Sequence, residues 1–252
     1  MTRWNIAVGR FFFRYRNVLF PVLFALVLPL GLRPHVLFGD PTLDRWLVFT
    51  GAAVALLGEA VRLTTIGYEY IERGGKNKQV WASKLVQGGI YAHTRNLMYV
   101  GNILIALGMC MAAGATAGYF LILPLFLFIY QAIVAAEEAF LREKFGEEFV
   151  AYCARVPRYL PSLHRLSQTL RGMEYDWRRA VRKDMGTITG VLTGLVLLPV
   201  WRAYFLQGMP VAKEQAARAV VPELLILGAY AFLHHLKKQR RFLYLPSELG
   251  VE

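Results

Sequence analysis

Six long apolar runs divide the chain and limit the folds that it can adopt. They cover residues 18–32, 46–57, 97–111, 119–136, 188–200 and 220–233, and most reach the length of a membrane span once their mixed flanks are included. No alternating strand pattern accompanies them. The sequence therefore predicts an all-α fold, a polytopic membrane bundle of about six transmembrane helices.

The positive charge is concentrated between the apolar runs. If the N-terminus is cytoplasmic, the segments 1–17, 68–96, 137–184 and 237–252 face the cytoplasm and hold 23 of the 29 Lys and Arg residues. This asymmetry follows the positive-inside rule and predicts that both termini are cytoplasmic. The membrane would be the plasma or inner membrane in a bacterium, or the endoplasmic reticulum in a eukaryote. Nucleic-acid binding is disfavoured, because the aromatic residues lie mostly in or beside the spans.

A short connection joins the third and fourth apolar runs. Residues 113–118 are too few for anything but an antiparallel helical hairpin. The hairpin brings the segment 88–99, which precedes the third span, next to the segment 137–161, which follows the fourth. We therefore expect the two most polar motifs of the chain to lie together.

The segment after the fourth run carries one inward-facing acid. Glu138 shares an apolar helical face and needs a positive or donor partner there, for which Arg142 lies one turn away. Glu137, Glu147 and Glu148 lie off this face and are expected to be solvated. The residues on the apolar face are Glu138, Leu141, Phe145, Phe149 and Tyr152.

Arginines are the other candidates for binding. Arg95, Arg155 and Arg158 come from the two converging segments and would either hold an anionic small molecule or contact lipid phosphates. Glu59 and Arg62 lie three residues apart inside the second span, where an ionisable pair is a functional candidate by default. The alternative is that they neutralise each other while Arg62 extends to the headgroups. No metal site is predicted, because no acidic residue completes a ligand spacing with the paired histidines at 234–235.

The stretch 162–184 is basic, and its apolar residues recur at helical spacing. An interfacial helix that lies on anionic lipid and a solvated linker helix both fit this pattern.

Several motifs, in order and in spacing, resemble the isoprenylcysteine carboxyl methyltransferase and phospholipid methyltransferase superfamily. The resemblance covers residues 46–161, and Leu97 stands where the family has Pro. The motifs are 84–91 (KLVQGGIY), 94–101 (TRNLMYVG), Glu137-Glu138, Phe145-Gly146, Tyr152 and Val156-Pro157-Arg158.

The resemblance implies an S-adenosylmethionine pocket at the cytoplasmic membrane face and transfer of a methyl group to a lipid-borne or small apolar acceptor. The residues that would act in catalysis are Arg62, Glu138 and Arg155. The acceptor group would be a carboxylate, phosphate, amine or thiol. The residues that would bind the cofactor are Gly89, Tyr91, His93, Arg95, Asn96, Tyr99, Gly101, Glu137, Glu138, Tyr152, Arg155 and Pro157.

The same features divide the chain into an N-terminal helix and turn (1–45), a methyltransferase core (46–161), a basic interfacial helix (162–184) and a C-terminal transmembrane hairpin with a tail (185–252). The expected partners are a membrane lipid or lipid-linked acceptor and anionic headgroups, with no nucleic acid and no obligate protein partner. Two other functions remain open: a non-catalytic lipid-binding or transport protein, and a membrane reductase of the sterol type.

Overall fold

The computed structural model describes residues 3–27, 33–69, 79–116 and 118–239, and this part of the chain is built from helices joined by short turns. The all-α membrane bundle is therefore confirmed. The polar loop 73–78, residues 28–32 of the first apolar run and the tail from 240 lie outside the described residues. The helices are α1 (Arg3–Val27), α2 (Pro41–Tyr68), α3 (Leu97–Ala113), α4 (Leu123–Arg155), α5 (Leu166–Arg171), α6 (Trp177–Leu206) and α7 (Met209–Lys238).

Within the described residues, four helices are long and apolar enough to cross a bilayer. These are α2, α6, α7 and the continuous helix Gly118–Arg155, which consists of one π-helical turn followed by α4. Helix α3 is apolar but has 17 residues, and the first predicted run is described only as far as residue 27. The chain is an integral membrane protein, and the count of about six spans is approximate.

Glycines allow α2 and α3 to pack closely. A Cβ at Gly108 would lie 2.3 Å from the Ala55 backbone nitrogen, and one at Gly58 would lie 2.6 Å from the Gly101 carbonyl oxygen. Membrane helices associate largely through such van der Waals contact, since lipid is as apolar as the side chains that it would replace. These positions therefore fix how α3 lies on α2.

Helix α6 runs antiparallel to α2 and is attached to both of its ends. Arg179 donates to the carbonyl oxygens of Ile66 (2.9 Å) and Gly67 (2.7 Å), which are unsatisfied groups at the C-terminal end of α2. At the other end, Arg202 pairs with Asp44 in the first turn of α2. The C-terminal hairpin is thus bound to the predicted core by charged contacts.

The stretch 162–184 is not one continuous helix. Helix α5 ends at Arg171, and a new helix begins after Asp176, whose side chain accepts a hydrogen bond from the Arg179 amide at 2.8 Å. Such an N-cap satisfies one of the free amides of the first turn and favours a helix start at this point. Arg179 and the buried Arg182 also face protein, so the stretch does not present one continuous cationic face.

Helix α1 crosses α4 at close range. A Cβ at Gly9 would lie 1.9 Å from the Ala132 carbonyl oxygen, so only glycine permits this crossing. Cavities border the crossing on either side, and the residues that line them belong mainly to α1 and α4.

Candidate active site

The two polar segments meet, as the short hairpin connection predicted. The Arg95 amide donates to the Pro157 carbonyl at 3.0 Å, and the buried Tyr152 hydroxyl donates to the Tyr91 carbonyl at 2.8 Å. The Thr94 hydroxyl donates to the Tyr159 carbonyl at 3.0 Å. The segment before α3 is therefore attached to the end of α4 and to the chain that follows it.

Glu138 lies at the centre of this junction. Its Oε1 accepts hydrogen bonds from Arg95 Nη1 (3.0 Å) and Arg158 Nε (3.1 Å), and its Oε2 lies 2.9 Å from Arg158 Nη2. The Glu138 side chain is 12% exposed, which confirms that its face is turned inward. The sequence suggested Arg142 as the partner, but arginines from both converging segments take that place. We call Glu138, Arg95 and Arg158 the carboxylate cluster.

The arginines of the cluster have further contacts. Arg95 Nη1 also donates to the Cys153 thiol at 2.7 Å, whereas its Nε is buried and has no hydrogen-bond partner among the described residues. Arg158 Nη1 donates to Gln131 Oε1 at 3.3 Å, and the Tyr159 hydroxyl donates to the same oxygen at 2.9 Å. Burial raises the pKa of the Tyr159 phenol, so it remains a donor at neutral pH.

Glu137 is not solvated as the helical pattern predicted. Its Oε1 accepts a hydrogen bond from the Tyr99 hydroxyl at 2.7 Å, and the Tyr99 ring lies 5.3 Å from the Tyr130 ring, measured between centroids. The pattern failed because α3 covers the flank of α4 on which Glu137 lies. Glu147 and Glu148 are exposed, as expected.

Two predicted cofactor residues contact the segment after the core. His93 Nε2 forms a hydrogen bond with Thr169 Oγ1 at 2.9 Å, and His93 Nδ1 forms one with the Ser162 carbonyl oxygen at 2.8 Å. Since a carbonyl only accepts, Nδ1 carries the proton. Gly89 has φ +55°, and a Cβ there would lie 2.6 Å from Met173 Cε. Residues 162–173 therefore lie directly against the segment that contains Gly89 and His93.

Asn96 and Gly101 flank the start of α3. Asn96 donates from Nδ2 to the Arg158 carbonyl at 3.0 Å and immediately precedes Leu97, the first residue of the helix. A Cβ at Gly101 would lie 2.6 Å from Arg62 Cγ. Gly101 thus makes room for α2, while Asn96 belongs to the junction of the two segments.

Arg155 lies outside the carboxylate cluster. It is exposed, and its Nη2 donates to Gln87 Oε1 at 3.2 Å. Gln87 in turn donates to Glu148 at 2.5 Å. These contacts place Arg155 on the outer surface of the junction.

Arg62 belongs to a second buried cluster. Its Nε donates to Asp184 Oδ2 at 3.0 Å, its Nη2 reaches the other carboxylate oxygen of Asp184, and its Nη1 donates to Asn102. Nη2 also donates to Thr187 at 3.1 Å. Glu59, the partner suggested by the sequence, is farther away at 3.7 Å. Arg62 therefore pairs mainly with α6, and its guanidinium does not extend to the headgroups.

Two cavities lie beside the site. The larger, about 540 Å³, is lined mainly by α1 and α4 and includes Arg10, Arg14 and Phe140. The smaller, about 170 Å³, is lined by Arg158 and Gln131 together with α1. Of the residues proposed from the sequence to bind cofactor or to act in catalysis, none lines either cavity. Among the described residues, no three His, Cys, Asp or Glu side chains are grouped to hold a metal ion.

Some residues of the site were missed in the sequence. Asp184 lies 122 positions from Arg62, and no local pattern joins them. Gln131 carries an uncharged amide, so a search for ionisable groups passes over it. Arg158 gave a signal, because it ends the Val-Pro-Arg motif and comes from a converging segment.

Residues 46–148 match the family model described as phospholipid methyltransferase. The chain is 28% identical over 114 residues to a probable 7-dehydrocholesterol reductase of Acanthamoeba polyphaga mimivirus. This alignment covers 41% of the chain and 24% of the reductase, so the chain spans about a quarter of that relative.

It is also 29% identical over 161 residues to the cobalt-zinc-cadmium resistance protein CzcN of Cupriavidus metallidurans. That alignment covers 62% of the chain and 68% of the relative. No solved structure matches the chain. The matched segment contains Glu137 and Glu138, on a helix long and apolar enough to span a membrane, and Arg95, in the bend before α3. Residues 46–148 of this integral membrane protein thus match the phospholipid methyltransferase family, which belongs to the isoprenylcysteine carboxyl methyltransferase superfamily.

Proposed function

We propose that the chain transfers a methyl group from S-adenosylmethionine to a lipid-borne or small apolar acceptor. The observation that carries this proposal is the carboxylate cluster. It joins the two motif segments beside the membrane-spanning part of α4 and combines an inward carboxylate with two guanidinium groups. A site of paired charges suits a ligand that carries charges of both signs.

The residues fit the amino-acid end of S-adenosylmethionine, which bears an ammonium and a carboxylate. Arg95 would bind the carboxylate, because its buried Nε lacks a partner among the described residues. Glu138 would bind the ammonium, and Glu137, held by Tyr99, would accept a hydrogen bond from a ribose hydroxyl. When bound, the cofactor supplies an activated methyl group, so the protein mainly aligns the acceptor and excludes water.

The acceptor determines which residues take part in the reaction. An amine or thiol acceptor must lose a proton, and Glu138 would assist its removal. For a carboxylate or phosphate, Arg155 is exposed and can bind an anion from solution. Arg62 would act indirectly, because its guanidinium is already held by Asp184.

The direct test is transfer of label. Purified full-length protein is incubated with methyl-labelled S-adenosylmethionine and total membrane lipid, and the label is then located. Label in lipid identifies a lipid-borne acceptor, whereas label in added thiols or acids identifies a small one. Absence of both binding and transfer contradicts the proposal and favours a non-catalytic lipid-binding or transport protein.

The likeness to a probable sterol reductase supports a second candidate function, reduction of a membrane substrate. Binding of NADPH without binding of S-adenosylmethionine would favour this function over methyl transfer. One titration of the same preparation with each cofactor separates the two.

The site is further proposed to face the cytoplasm, which follows from the distribution of Lys and Arg along the chain. Tags at the N-terminus and C-terminus should then both report the cytoplasm, and a tag near Lys213 should report the opposite side. A cytoplasmic signal near Lys213 would contradict this orientation.

A further inference from the structure

The cavity of about 540 Å³ between α1 and α4 combines cationic and apolar walls. Arg10 and Arg14 lie four residues apart, so they share one face of α1. Phe13, Val80 and Phe140 supply apolar surface. The volume falls in the range of small-molecule sites, roughly 300–1,000 Å³.

The charge of the lining selects the kind of ligand. Two arginines line the cavity, and no acidic side chain lies among its described lining residues. Guanidinium groups bind phosphate and carboxylate through paired hydrogen bonds, which favours an anionic head. The aromatic and aliphatic wall suits a hydrocarbon chain and gives no benefit to a free inorganic anion.

The position in the chain favours an occupant that comes from the membrane. The cavity lies against α4, whose helix is one of the candidate membrane spans, at Ala136 and Phe140. Arg10 and Arg14 are exposed, so they can meet headgroups.

We infer that this cavity binds an anionic membrane amphiphile, with its phosphate or carboxylate on Arg10 and Arg14 and its chain along Phe13, Val80 and Phe140. Helix α1, which supplies both arginines, lies outside the matched family segment. The inference does not depend on methyl transfer, because the same site would serve as an acceptor site or as a lipid site beside another activity.

Native mass spectrometry of the full-length protein, released from detergent micelles, tests this inference. The probes are dioleoyl phosphatidylglycerol, dioleoyl phosphatidylcholine and inorganic phosphate, each titrated separately. We expect one phosphatidylglycerol to bind more than about tenfold tighter than phosphatidylcholine, because both carry the phosphate but the choline cation places a like charge beside the two arginines. Inorganic phosphate alone should bind far more weakly.

Two variants and a control locate the site. The double variant Arg10→Gln/Arg14→Gln should lose the preference for the anionic lipid. Val80→Trp keeps both charges but fills the cavity, and it should lose the tightly bound lipid. The control Arg45→Gln/Lys213→Gln removes the same charge from exposed positions outside the cavity lining and should behave like the parent. A preference that survives in both cavity variants, or phosphate that binds as tightly as the lipid, overturns the inference.

Discussion

Replacement of Glu138 with Gln removes the negative charge that two arginines share. We expect it to weaken binding of S-adenosylmethionine by about ten- to a hundredfold, with a matching loss of turnover. The carboxylate now receives contacts of 2.9–3.1 Å from Arg95 and Arg158. A Gln side chain keeps one acceptor oxygen, so at least one charge-assisted contact is lost, worth about 1.5–3 kcal/mol.

The assay is calorimetric titration of purified full-length variants with S-adenosylmethionine, alongside methyl transfer. Glu147→Gln serves as the control, because it removes the same charge from the same helix at an exposed position. It should leave affinity and rate unchanged. Wild-type affinity and rate in the Glu138 variant would refute the assignment of Glu138 to the site.

A loss of stability must be separated from a loss of binding. Glu138 is 12% exposed, and removal of one partner from a buried ion pair costs about 3–5 kcal/mol, less where water reaches the pair. The thermal midpoint of the variant is therefore measured with and without S-adenosylmethionine. If Glu138 contributes to the site, a given concentration of S-adenosylmethionine raises the midpoint of a folded Glu138→Gln protein less than that of the parent or of Glu147→Gln.

Asp184→Asn should lower the free energy of unfolding in micelles by about 3 kcal/mol, because it leaves a buried guanidinium of α2 without its main anion; a change below about 1 kcal/mol would contradict this. Gly108→Ala places a Cβ 2.3 Å from the backbone of α2 and should reduce the folded yield, whereas Gly190→Ala, which has open space around it, should not. Tyr99→Phe removes the hydrogen bond to Glu137 and should weaken binding of S-adenosylmethionine about tenfold, measured by titration of the folded protein.

The parts of the fold that follow from local sequence were predictable. Apolar runs mark the helices because lipid-facing side chains must be apolar over the whole thickness of a bilayer. A connection as short as 113–118 leaves the two helices no other arrangement than a hairpin, and the contact of the flanking segments follows from it. The inward orientation of Glu138 was also predictable, because helical periodicity places it on the apolar face of α4.

The partners of the charged residues were not predictable. Helical spacing suggests Arg142 as the partner of Glu138 and Glu59 as the partner of Arg62. In the structure Glu138 pairs with Arg95, and Arg62 pairs with Asp184, which come from other elements. Such a pair is decided by which helices pack together, and a sequence pattern does not contain that information. The break in the stretch 162–184 did have a local signal, because Asp176 is an N-cap type of residue directly before Trp177.

The Arg62 cluster bears on where the matched domain ends. Asp184 lies outside the matched segment, yet it supplies the nearest carboxylate to a guanidinium buried in α2. A buried charge without a close partner is costly, and Glu59 at 3.7 Å compensates it only in part. Arg179 and Arg202 attach the same helix to both ends of α2. We therefore expect α6 to fold together with the matched segment. The C-terminal hairpin would then support α2, the helix on which α3 packs.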